Sequence, residues 1–154
     1  MNNIFKYFTW CTIFLCFILT ILNINSVYIY YIYIGMLTNA ILGTYLINKN
    51  LDKVCEITKV KKHYIIMSDI FTHWICGSFA LYKLLNTKPN KNENAISFII
   101  FLLLILYYII FNNPENVYSF ANLSNKKLIK RYIIIYFIIF VLMIIFNNTY
   151  IISI

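Results

Sequence analysis

Five long, almost uninterrupted apolar stretches decide what this chain can fold into: residues 5–22, 27–47, 63–85, 96–111 and 132–146. Each is close to the ~20 residues that an α-helix needs to cross a ~30 Å hydrocarbon core. Lipid offers a backbone N–H or C=O no partner, so a spanning segment must satisfy its own hydrogen bonds. Ile, Tyr and Phe also favour strands. The runs are nevertheless too long and too continuously apolar for the alternating pattern of a membrane β-barrel. The fold expected is therefore all-α: a polytopic transmembrane helical bundle of about five membrane-spanning helices, forming a single integral membrane domain over residues 1–154.

Composition closes off the soluble alternative. The 154 residues are 62% hydrophobic and only 12% charged, against about 25% charged in an ordinary globular domain. A soluble fold of this size has too much surface to hide that apolar content from water. The enrichment in Ile, Phe, Tyr, Asn and Lys also fits the codons of an AT-rich genome, such as that of a giant virus, a protist or an organelle.

The net charge of +8 does not point to nucleic acid, because no basic face on a soluble domain is there to carry it. Its distribution instead sets an orientation. Lys6 precedes the first stretch, Lys49, Lys53, Lys59, Lys61 and Lys62 follow the second, and Lys126, Lys127, Lys130 and Arg131 precede the fifth. Alternating spans place these ten basic residues on one side, against Lys83, Lys88 and Lys91 on the other. Short-loop Lys and Arg stay on the cytosolic side, so the N-terminus is expected there and the C-terminus opposite. Residues 1–26 partly match a cleaved signal peptide, with Lys6 as the charged start. The apolar run is long for that role, and Ile24 is a poor residue for the cleavage site.

The connectors are short. Asn113, Pro114 and Glu115 make a good helix start, and Val117, Tyr118, Phe120 and Ala121 then predict a short interfacial helix. Residues 86–94 read as a polar loop containing Pro89. The N-glycosylation sequons at Asn122 and Asn147 fall, respectively, on the cytosolic side and at a membrane end.

Any chemistry should sit in the second and third stretches. The fourth and fifth are apolar all round and suit an outer wall against lipid. In the third, Asp69, Thr72, His73, Cys76, Gly77 and Ala80 recur at spacings of three and four, which puts them on one helical face. Counted from His63 at ~1.5 Å per residue, Asp69 lies ~9 Å deep and His73 ~15 Å. An ionisable group at such depth costs at least ~2.5–3.5 kcal/mol, so it should point inward. In the second stretch, Gly35, Asn39 and Gly43 form a small-residue stripe suited to close helix approach. The two faces are expected to pack antiparallel, with Asn39 bonding Asp69 or His73. Thr9, Thr12, Cys16 and Thr20 of the first stretch would complete a polar core.

Asp69, His73, Asn39 and Thr72 are thus the candidate functional residues, and the balance favours their gluing helices together. A hydrolase would need Thr72 activated by His73. A metal site would need Asp69, His73 and Cys76 as three ligands. His63 belongs to the headgroup level. Metalloprotease, serine-hydrolase and phosphate-loop motifs are absent, as is any deep lysine for a Schiff base. Cys11, Cys16, Cys55 and Cys76 form no C-x-x-C pair, which argues against thiol redox chemistry. No cofactor is implied.

Two functions of different class follow. One is a structural or assembly component of a viral or organelle membrane, whose partners are the lipid bilayer, other membrane proteins or further copies of itself. The other is a minimal membrane enzyme or a proton, ion or small-molecule transporter working through Asn39, Asp69 and His73. A dry, paired cluster favours the first, and a water-filled path to His73 the second.

Overall fold

The computed structural model describes residues 26–88, 90–111, 119–121 and 124–152, together with 13, 14, 17, 18 and 21. The described residues form helices and turns, with no strand among them. A 3₁₀ turn, Ser26–Ile29, leads into α1, Tyr30–Lys49. A short α2 covers Leu51–Thr58, and α3 runs Lys62–Asn86. Then come α4, Lys91–Phe111, and α5, Asn125–Ile152. Helices α1, α3, α4 and α5 hold the second to fifth apolar stretches, and all four are long and apolar enough to cross a membrane. The five described residues of the first stretch are helical, and Ile13 packs against the main core. The rest of that stretch, including Thr9, Thr12, Cys16 and Thr20, lies outside the described residues. Residues 113–118 of the expected interfacial helix also lie outside them, and its remaining part, Ser119–Ala121, is a 3₁₀ turn.

Three boundaries differ from the sequence expectation, each for a local reason. The connector after α1 folds into α2, because Leu51, Val54 and Cys55 gather on one side and Asp52 and Glu56 stay exposed. Lys59 then ends α2 in a left-handed conformation, with φ of 56°, the common helix stop. Residues 91–94, read as loop, belong to α4. The Asn90 side chain accepts from the Glu93 N–H at 3.0 Å, while the Asn90 N–H donates to Glu93 Oε2 at 2.8 Å. This reciprocal pair satisfies two N–H groups that would otherwise be left over. Finally, α5 begins at Asn125 rather than near residue 132. Lys126, Lys127, Lys130 and Arg131 occupy its first two turns, as good helix formers do, while their long stems carry the charge outward.

Helix α1 is the central strut, and the others wrap it. Ile32, Tyr33 and Ile34 are fully buried. The relative directions follow from paired contacts. On the α3 side, Thr44 bonds Asp69, and Gly77 abuts Ala40. On the α5 side, Tyr132 Oη donates to the Gly35 carbonyl and Tyr136 Oη to that of Tyr31. Both neighbours therefore run antiparallel to α1. On the α4 side, the Tyr31 N–H donates to Ser97 Oγ at 3.0 Å and Phe101 lies against Gly35, so α4 is parallel to α1. The spans alternate in direction. The C-terminal end of α1 and the N-terminal end of α5 consequently lie at one end, where α2 meets the 119–121 turn. That end holds the large majority of the basic residues in the described spans and connectors.

The outer surface is apolar. Trp74, Leu103, Ile110, Phe137 and Leu142 are each more than half exposed. Such a continuous apolar surface is stable only against hydrocarbon. The share of each span that is buried falls from 56% in α1 to 17% in α4 and α5, which makes the last two helices the outer wall.

Candidate functional site

The buried stripe of α3 is Ile65, Asp69, His73, Gly77, Ala80 and Leu84. Its repeated spacing of four has a structural cause: Ile70–Ile75 is a π-helical segment between two α-helical halves. The wider π turn lets residues four apart stay on one face. Asp69 and His73 are only 5% and 8% exposed. They sit midway along a helix that would cross the membrane.

The two side chains meet directly. His73 Nδ1 lies 2.8 Å from Asp69 Oδ1, a hydrogen-bond distance, which a ring tautomer with the proton on Nδ1 satisfies by donating to the carboxylate. Thr44 of α1 donates from Oγ1 to the same oxygen at 3.3 Å. Nothing in the sequence pattern marks Thr44, which stands one residue beyond the small-residue stripe; only the packing of α1 on α3 brings it to the acid. The carboxylate is thereby tied to both helices.

Gly43 explains why the ring fits. A methyl group built there would sit 2.8 Å from His73 Cδ2 and 2.9 Å from Cε1, well inside the ~3.5–4.0 Å at which carbons pack comfortably. Only glycine allows the imidazole to lie against the α1 backbone. One turn away, a methyl at Gly77 would fall 2.7 Å from the Ala40 Cβ. The expected antiparallel seam between these helices is present, with Gly43 in it. Gly35 belongs to a different seam, where a methyl would meet Phe101 and Tyr132. Eight residues of helix advance the direction by about 80°, so one stripe serves two neighbours. Asn39, four residues from each glycine, is buried.

The remaining candidates resolve differently. Thr72 Oγ1 donates back to the Ser68 carbonyl at 2.8 Å and lies 3.2 Å from His73 Nδ1. A hydrolytic triad needs the nucleophile on one ring nitrogen and the acid on the other. Here Thr72 and Asp69 address the same nitrogen, so the histidine is not set up as a base for Thr72. Cys76 leaves the proposed ligand set: its thiol is directed at the Phe71 carbonyl at 3.7 Å, five residues back along the π turn. Among the described residues, no three His, Cys, Asp or Glu side chains converge to hold a metal ion. The His63 ring lies tilted against that of Tyr64, centroids 4.1 Å apart, on the exposed end of α3.

Four apolar helices of crossing length, with a polar pair buried between α1 and α3 and no strand among the described residues, mark a helical membrane protein. No family model, no curated protein and no solved structure matches the chain.

Proposed function

We propose that the chain is a five-span structural or assembly component of a membrane, viral or organellar on the strength of its AT-biased composition, with the N-terminus cytosolic and the C-terminus opposite. The fifth span is the first apolar stretch, residues 5–22. The observation that carries the non-enzymatic reading is the closure of the Asp69 cluster. The acid is paired to His73 and held by Thr44, and the ring is pressed on Gly43. Such a cluster is an interhelical clamp, in which each hydrogen bond contributes ~0.6 to 1.7 kcal/mol inside a membrane. The outer wall of α4 and α5 leaves a broad apolar face for lipid, membrane partners or further copies.

The second reading, an enzyme or a proton, ion or small-molecule transporter acting through Asn39, Asp69 and His73, has one specific support. A π segment spans the site, and such segments frequently mark functional positions.

Separate Asp69→Asn and His73→Ala variants, unfolded in detergent by heat, distinguish the two readings. The clamp requires both midpoints to fall. Unchanged or raised midpoints, together with wild-type proton flux in liposomes that the variants lack, would reverse the order of the readings.

A further inference from the structure

We infer that the basic end of α5 is a binding site for one anionic phospholipid. The phosphate would sit on Lys126 and Lys130, and an acyl chain would run along Ile129, Ile133 and Ile134. This rests on the membrane reading above.

These five side chains line one shallow depression of about 530 Å³ on the outer face of α5. Their order matches the order of groups in a lipid. Lys126 and Lys130 stand in the first two turns with Ile129 between them, their stems lining an almost wholly apolar floor, and Ile133 and Ile134 follow toward the apolar middle of the span. From Lys126 to Ile134 the helix rises ~12 Å, the distance from headgroup level into the hydrocarbon. All five residues are exposed, so the face is open to whatever surrounds the protein.

Charge makes the occupant an anion. Lys126, Lys127, Lys130 and Arg131 fall within the first seven residues of α5, the end at which the helix dipole is already positive. Among the described residues, no carboxylate forms an ion pair with any of them. Nearby, the Tyr45 ring holds Lys49 of α1 at 5.7 Å and Arg131 at 6.0 Å, drawing cations of two helices together. Like charges gathered at a helix N-terminus destabilise one another. A phosphate would relieve both the mutual repulsion and the unfavourable dipole. A soluble anion would leave the isoleucine floor unused, and a neutral lipid would leave the lysines unneutralised.

The test reconstitutes the full chain in nanodiscs of phosphatidylcholine, with or without phosphatidylglycerol or cardiolipin, and follows thermal unfolding. Lipids retained by protein purified in mild detergent are counted by native mass spectrometry. Alkaline carbonate extraction is run first: release from the membrane would defeat the membrane reading itself, independently of the lipid site. For integrated protein, anionic lipid should raise the midpoint and at least one anionic lipid should be retained. Lys126→Gln/Lys130→Gln should lose at least half of that rise. Lys88→Gln/Lys91→Gln, which removes the same charge at the opposite end, should keep it. Equal responses in the two double variants, no response in wild type, or equal stabilisation by inorganic phosphate would overturn the inference. Should Lys126→Gln/Lys130→Gln fail to fold, the wild-type lipid count decides: retention of phosphatidylcholine alone overturns it.

Discussion

Replacing Gly43 with alanine tests the Asp69–His73 clamp without removing any of its members. The new methyl would lie 2.8 Å and 2.9 Å from two carbons of the His73 ring. To restore ~3.5–4.0 Å contacts, the ring must retreat by roughly 0.6–1.2 Å. It has little room to do so, because its Nδ1 is fixed at 2.8 Å on Asp69. Overpacking of this kind costs ~1–3 kcal/mol. Alanine in place of glycine within a helix returns ~0.5–1 kcal/mol, leaving a net destabilisation of about 0–2.5 kcal/mol. In a His73→Ala background the clash is gone and only the helical gain remains, so Gly43→Ala should there be neutral or stabilising. The two sites should therefore couple by about 1–3 kcal/mol, in the range found for residues in contact. Equilibrium unfolding of the four proteins in mixed micelles, titrated with a denaturing detergent, measures the cycle. Additive effects, or an equal loss in both backgrounds, would show that the imidazole does not rest on the α1 backbone and would remove the basis of the clamp.

Other outcomes follow from single contacts. Ser97→Ala strips the buried acceptor from the Tyr31 N–H, a half-buried first-turn group where α1 meets α4; a loss of ~1–3 kcal/mol is expected, and Ser97→Thr should recover part of it in the same unfolding assay. Asn90→Ala removes half of the capping pair with Glu93; it should cost ~0.5–2 kcal/mol and speed amide exchange in the first turn of α4 while sparing α1. Single cysteines at Glu56 and Lys127 should react with an impermeant maleimide from the same membrane face, and one at Asn92 from the other, in a cysteine-free background. Labelling of all three from one face would contradict the alternating directions of the spans.

Much of this architecture was legible because the bilayer imposes a coarse rule. The second to fifth apolar stretches needed only length and hydropathy to be read, and each is a helix of crossing length. The outer placement of α4 and α5 followed from their having no polar face, and Asp69 and His73 were marked by their depth. The helix ends were less legible: Asn90 with Glu93, and the lysines opening α5, form helix in segments whose polarity resembles that of a loop.

Sequence alone therefore determined which segments seek hydrocarbon and which buried groups must find partners, since both follow from transfer free energies of single residues. Tertiary structure decided who those partners are. Thr44 reaches Asp69 only because α1 and α3 cross at that height. The same packing divides Gly35 and Gly43 between two neighbours, and the π turn in α3 directs Cys76 to the Phe71 carbonyl. These outcomes depend on crossing geometry and local helical pitch, which arise from contacts between elements and are not encoded in any one residue's chemistry.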